Sequence, residues 1–403
     1  MIGILTGTIL GVAMGVVSGL IPGVHSNTMA GVLLGAQAFL LPFIGAEALA
    51  ASLVSTLITH SFLDSIPSTF LGVPDPDTAL SVLPAHALCL EGKGEEAVRI
   101  AAIGSASGVV IGIPVCIALM VLMPSLQPFL DWGIGIILIA VSGYLLVTGE
   151  SPGWALLIFL TSGLLGVFAL NFGYLCWPVL GEGAVLMPLL SGLFGVSVLI
   201  LASPGPIPSQ RFTGIHFGGP DMSRQVLLGT AAGAIVGWLP GLSNASAHAV
   251  LSPAARDGRD RRGYIAATSA AATANAIIGL AALYALARTR NGVMAALSGF
   301  ELPPFAALLG ACALAACIAY PLTIFLSRSA PKMNGIDSRT LSFAVIGFVA
   351  IAGILATGPF GAMILVLATL VGLTPQIVGV PRIYCMGAIT IPVIFFSLGF
   401  NFF

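Results

Sequence analysis

Long apolar blocks separated by short polar breaks make up nearly the whole chain. Blocks near 2–21, 27–44, 48–72, 97–123, 132–149, 153–170 and 184–202 fill the first half. Blocks near 225–241, 243–252, 264–287, 303–327, 340–357, 359–373 and 384–402 fill the second. About 20 helical residues cross a bilayer, so 243–252 is too short alone and is expected to form a hairpin with 225–241. The shorter apolar stretches 74–90 and 289–300 are expected to be re-entrant or interfacial pieces. The pattern predicts an all-α, polytopic membrane protein.

One segment is written twice. Residues 11–30 (GVAMGVVSGLIPGVHSNTMA) and 229–248 (GTAAGAIVGWLPGLSNASAH) share Gly11/Gly229, Gly15/Gly233, Gly19/Gly237, Pro22/Pro240 and Gly23/Gly241. DTALSVL (77–83) aligns with NGVMAAL (291–297), and Gly183-Ala184 with Pro188 aligns with Gly387-Ala388 with Pro392. Three matches in order imply a duplication: a first transmembrane repeat over 1–202, a Pro/Gly-rich linker over 203–224, and a second repeat over 225–403. Each repeat carries a helix broken at Pro-Gly.

Composition agrees, with 58% hydrophobic and only 7% charged residues, against about 25% charged in soluble domains. The net charge of −1 leaves no basic surface for nucleic acid. The six cysteines lie scattered in apolar stretches, giving neither disulfide framework nor metal site. No catalytic signature or cofactor motif is present, so enzyme activity is not expected. The N-terminal block lacks a basic leader region and reads as a retained helix.

Charge sets the expected topology. With Lys93 and Arg99 on one side, counting crossings puts 12 of the 14 basic residues on that side, and the positive-inside rule makes it cytoplasmic. Only Arg288 and Arg290 fall elsewhere. The first 92 residues contain no Lys or Arg, which suits an N-terminus outside the cell membrane. The same count runs 97–123 outward and its partner 303–327 inward, so the two repeats are expected to be inverted.

Unpaired backbone groups in hydrocarbon cost several kcal/mol, so an irregular segment persists only against protein or a water-filled cavity. Paired broken helices at matching positions of two halves therefore point to a transport site. The first break, Pro22-Gly23, is followed by His25, Ser26, Asn27 and Thr28. The second, Pro240-Gly241, is followed by Ser243, Asn244 and Ser246. A half-helix starting there would offer free N–H groups and a positive dipole end to an anion. The plainer alternative is that Pro-Gly ends one helix and the polar residues cap the next.

A second constellation comprises Thr59, His60 and Asp64, with Asp75 and Asp77 beyond. His60 and Asp64 are spaced i,i+4 and would share a helix face. Intramembrane ionisable residues are costly and usually functional, which makes Asp64 the leading candidate to couple Na+ or H+. The counterpart in the second half is Asn275 followed by Arg288 and Arg290. A guanidinium pairs bidentately with carboxylate, so these arginines suit a small organic anion. The open alternatives are that His60 and Asp64 satisfy each other, and that the arginines snorkel to headgroups or pair with Asp75 or Asp77. At the level of function, a lipid-phosphate flippase or a membrane-embedded enzyme using His60 and Asp64 stands as the rival to a carrier.

These motifs together resemble the TctA family, the large membrane subunit of tripartite tricarboxylate transporters. GLIPG (19–23) and GWLPG (237–241) are similar to that family's repeat starts. Residues 73–108 resemble its following block, with Pro84, Ala87, Gly92, Gly94, Ala97 and Ala101–Ser105 in register. PLLSGLFGVS (188–197) and GVPRIYCMGAITIP (379–392) resemble its repeat ends. The resemblance implies a multi-pass permease for di- or tricarboxylates, driven by a cation gradient. It also implies two partners, a small membrane subunit and an extracytoplasmic binding protein.

Overall fold

Apolar composition and small-residue spacing resolve, in the computed structural model, into an all-helical bundle with no strand among the described residues. The structure describes residues 2–21, 24, 26–35, 37–71, 82–177, 185–201, 208–216, 220–239, 261–299, 301–329 and 338–400. The helices are α1 (Ile2–Leu20), α2 (Ser26–Gly35), α3 (Gln37–Leu63), α4 (Ser65–Leu71), α5 (Val82–Leu90), α6 (Gly94–Thr148) and α7 (Pro152–Asn171). They continue as α8 (186–201, with a π turn over Ser191–Val196), α9 (Pro220–Trp238), α10 (Arg261–Leu286) and α11 (Gly292–Ser298). The last three are α12 (Phe305–Ser329), α13 (Ser338–Val378) and α14 (Gly387–Ser397). Seven helices among the described residues are long and apolar enough to cross a membrane. The chain is therefore a polytopic membrane protein.

The blocks expected at 97–123 and 132–149 form one helix, α6, of 55 residues. At 1.5 Å per residue that is about 80 Å, well beyond a bilayer's thickness. Pro114, Pro124 and Pro128 lie inside it, and membrane helices tolerate proline as a bend rather than a stop. The break expected near 358 is real: Gly358 adopts φ 71° within α13, and Pro359 follows. The block at 27–44 is divided differently from its expected bounds. It contains α2 and the start of α3, and the irregularity at its far end sits at Gly45, with φ 76°.

Lipid tails are as apolar as leucine, so helix association here rests on close packing of small residues. Gly7, Gly11 and Gly15 lie at a four-residue period on α1, against the carbonyls of Ala48, Ser52 and Thr56 on α3. Gly229, Gly233 and Gly237 on α9 lie likewise against the carbonyls of Ala267, Ala271 and Asn275 on α10. The duplicated glycines thus do the same job twice. Their register makes Ser52 the counterpart of Ala267, Thr56 of Ala271, and His60 of Asn275. The helices receiving these glycines are the most enclosed spans, with buried residues making up 61% of the Phe39–Phe70 window and 72% of the Arg261–Leu286 window.

The two largest apolar cores each draw helices from both halves of the chain. The first joins α1–α3 and the middle of α6 to α9–α12. The second joins α7 and α8 to the latter part of α13 and to α14. Within it the halves exchange partners. α7 meets α14 through Gly166 on the Ala388 carbonyl and Gly387 on the Phe159 carbonyl. α8 meets α13 through Gly192 on Leu365 and Gly372 on Leu193.

At one end of the first core the charges collect. Glu96, whose side chain is 2% exposed, takes both Nε and Nη2 of Arg262 at 2.9 Å. It also accepts the backbone N–H of His216 at 2.8 Å. Arg99 pairs with Glu95 at 2.7 Å, Arg328 approaches Glu95 at 3.7 Å, and Arg261 reaches Glu91 at 2.7 Å. Burial opposes ionisation of Glu91, but the hydrogen bonds from Lys93 and Arg261 outweigh it and lower its pKa. The described part of the linker, 208–216, runs over this end without regular structure. Gln210 accepts from the Gly94 N–H at 2.8 Å and donates to the Cys89 carbonyl at 3.0 Å. Five basic residues expected on one side of the membrane, Lys93, Arg99, Arg261, Arg262 and Arg328, thus share one end of the bundle.

Candidate functional site

The two helix breaks are only partly within the described residues. Pro22, Gly23, His25, Pro240, Gly241, Ser243, Asn244, Ser246 and Asp77 lie outside them, as do the side chains of Asn27 and Thr28. What is described is how each break is approached. α1 ends at Leu20, and α2 opens at Ser26, which is fully buried. α9 ends at Trp238, two residues before Pro240.

The end of α9 is held from outside the helix. An α-helical carbonyl normally accepts from the N–H four residues on, and Pro240 has none to give to Val236. Arg290 supplies that bond: its Nη2 donates to the Val236 carbonyl at 2.7 Å and its Nε to the Gly237 carbonyl at 3.1 Å. A cation at a helix C-terminus also complements the helix dipole. Trp238 Nε1 donates to Gln127 Oε1 at 3.1 Å, fixing the same end to α6. Asn275 lies beside Gly237, its Oδ1 only 3.1 Å from where a Cβ on that glycine would sit. Arg290, Asn275 and the approach to the second break are therefore one cluster.

Arg290 reaches this position from the segment between α10 and α11. Ala287 there has a left-handed φ of 52°, which turns the chain as α10 ends, and the Asn291 side chain accepts from Met294 N–H to start α11. Gly279 leaves room beneath, with the Arg290 Cβ at 3.6 Å from a hypothetical Cβ there. By the glycine register, Gly279 is the counterpart of Asp64. α11 in turn packs against α2, so the half-helix after the first break lies beside the segment that caps the second. Arg288 is half-buried in the same segment.

The remaining candidates separate. His60 Nδ1 is 3.2 Å from Ser18 Oγ, and Thr59 faces Gly15, so both turn toward α1. The hydroxyls of Ser55 and Thr59 are buried with no hydrogen-bond partner among the described residues. Asp64, 5% exposed, sits at the junction of α3 and α4. It lines a cavity that also takes residues from α5, α6 and α10. The i,i+4 pair His60–Asp64 thus serves two surroundings. Three positions were not anticipated: Thr268 and Ser269, which line that cavity, and Gln127 under Trp238. A lone amide between Pro124 and Pro128, and adjacent hydroxyls in an alanine-rich helix, were the available signals. No group of three or more metal-ligating side chains occurs among the described residues.

The described helices thus form a polytopic bundle in which Arg290 holds the end of α9 and Asp64 lines a separate cavity. The profile of the tripartite tricarboxylate transporter TctA family matches residues 5–387, and the chain belongs to that family. It is a transporter permease component, and the tripartite family implies association with other subunits. An uncharacterized protein of Methanocaldococcus jannaschii is 31% identical over 301 residues, covering 72% of this chain and 71% of that protein. No solved structure matches the chain.

Proposed function

We propose that this chain carries small organic anions, di- or tricarboxylates, across the cell membrane, driven by a gradient of Na+ or H+. In this reading the two halves are inverted, the N-terminus lies outside, and the substrate binds near the midplane between the breaks. Residues 22–28 and 240–246 contribute hydroxyls, amides and free backbone N–H groups. The capped end of α9 carries the reading. A carbonyl orphaned by proline deep in a bundle is costly unless a donor is built for it, and Arg290 supplies that donor. Arg288, a second guanidinium, lies two residues from Arg290 in the same segment. The anion would meet these together with the polar residues of both breaks.

A small membrane subunit and an extracytoplasmic binding protein are the proposed partners, the second delivering the anion from outside. The test is uptake of radiolabelled citrate, tricarballylate and succinate into proteoliposomes under imposed Na+ or proton gradients. It is run with the chain alone and with those partners. Gradient-dependent uptake of at least one of these anions supports the proposal. Absence of uptake in every combination overturns it.

A further inference from the structure

The linker between the two halves is docked along one short stretch of the first. Besides its bonds to Gly94 and Cys89, the Gln210 amide donates to the Pro208 carbonyl at 2.8 Å. The Arg211 N–H donates to the Gly92 carbonyl at 2.8 Å. The Phe212 ring lies 4.1 Å from the Arg99 guanidinium, a cation–π contact. His216 closes the series, with its backbone N–H at 2.8 Å and its Nδ1 at 3.2 Å from Glu96 Oε1. Gly92, at φ 79°, permits the close approach, since a Cβ there would lie 3.0 Å from the Ser209 carbonyl oxygen. The strap 208–216 is thus anchored on residues 89–99, where α5 gives way to α6.

This docking bears on how the two large cores are tied together. Among the described residues, α6 is the one helix that packs into both. Val109, Cys116 and Met123 lie in the first, and Leu145 and Leu146 pack against the second. Pro124, Pro128, Gly133 and Gly135 fall between those two sets, and proline within a helix is where it bends. The chain returns from the second core to the first through the linker, between Leu201 at the end of α8 and Pro220 at the start of α9. An extended chain spans at most about 3.5 Å per residue, so the docked strap keeps Leu201 within about 25 Å of residue 208. With the strap free, the whole tether from 201 to 220 can reach about 65 Å. Release needs no global unfolding: the strap has no regular structure, and Phe212 and Ile215 are 40% and 37% exposed.

We propose that residues 208–216 are a latch with two tether lengths. Docked on 89–99, they limit how far the second core swings from the charged end of the first. Undocked, they let the cores move about the bend in α6. The purpose of the latch rests on the transport reading, because a carrier shifts one part against another to expose its site alternately.

Two measurements on the full chain, with the six native cysteines replaced, test it. In the first, spin labels at Leu201→Cys and Lys93→Cys report the distance between the end of α8 and the docking stretch. Adding Gln210→Ala and Phe212→Ala should shift weight to a longer distance population, and an unchanged distribution would overturn the latch. In the second, Arg99→Cys and Phe212→Cys are bridged by a short reducible bifunctional thiol reagent. Uptake of the radiolabelled carboxylates should fall at least tenfold on bridging and return on reduction. The bridged protein is compared with itself after reduction, so effects of the substitutions on stability cancel. Uptake indifferent to the bridge overturns the latch and leaves the transport reading standing. Absence of uptake before bridging removes that reading, and the distance distribution then decides the latch by itself.

Discussion

Arg290 gives the carbonyl of Val236 the hydrogen bond that Pro240 cannot give. One proline thereby creates a vacancy at the end of α9, and one arginine 50 positions later in the chain fills it. If the bond is what holds that helix end, Arg290→Ala should destabilise the fold by about 1–3 kcal/mol, the cost of leaving a buried acceptor unsatisfied. Arg290→Lys should recover only part of it, because an ammonium cannot repeat the planar Nε/Nη2 fork. Thermal unfolding of the three proteins in one detergent checks the order wild type, Lys, Ala.

The glycines on α1 and α9 predict a sharp contrast with glycines elsewhere. A methyl on Gly233 would collide with the backbone of Ala271, which cannot move without shifting α10. Gly233→Ala and Gly11→Ala should each lose about 1–3 kcal/mol through overpacking. Gly310 on α12 has nothing within 4 Å of its would-be Cβ, and Gly310→Ala should be neutral or gain up to about 1 kcal/mol from helix propensity. Unfolding midpoints of these variants measure the difference directly.

Much of this architecture could be read from the residues alone, and the reason is physical. In lipid, small-residue spacing is itself a packing code, and the repeated glycines announced that the same segment was used twice, though not which helices it would meet. Proline-glycine at 22–23 and 240–241 announced where regular helix would stop, and the charge distribution announced which basic residues would gather at one end. Contacts between sequence-distant partners were not legible. Nothing local to Arg290 indicates that its acceptor is Val236 O, and nothing in the spacing of His60 and Asp64 says that they face different surroundings. Likewise, the exchange of partners between α7, α8, α13 and α14 depends on the whole bundle, which no local pattern encodes.

Aromatic side chains cover two helix junctions in the second core. Trp177, after α7, packs on Gly358, where a Cβ would fall 2.6 Å from the indole nitrogen. Tyr384, after α13, packs on Gly149 between α6 and α7. Gly358→Ala meets both the indole and a φ of 71°, so it should be more damaging than Gly149→Ala. Combining Gly358→Ala with Trp177→Ala should relieve the collision while leaving the backbone strain. A double-mutant cycle on unfolding free energies separates the two contributions.

The charged end offers a further test. Glu96 is buried and serves Arg262 in two hydrogen bonds, so Glu96→Ala should cost about 2–4 kcal/mol by stranding polar groups. Glu91, 44% exposed beside Lys93 and Arg261, should contribute far less, and Glu91→Ala should fall within about 1 kcal/mol. Raising the salt concentration should weaken the second pair and leave the first nearly unchanged.

The central claim is that both Pro-Gly breaks line one water-accessible anion site. Single cysteines placed at Asn27 and Asn244, in a background with the six native cysteines replaced, report on it through labelling by a membrane-impermeant thiol reagent. The account predicts that both positions label in proteoliposomes and that the same transported di- or tricarboxylate protects both, while an uncharged analogue protects neither. Labelling that no carboxylate alters at either position, or protection confined to one break, would contradict it.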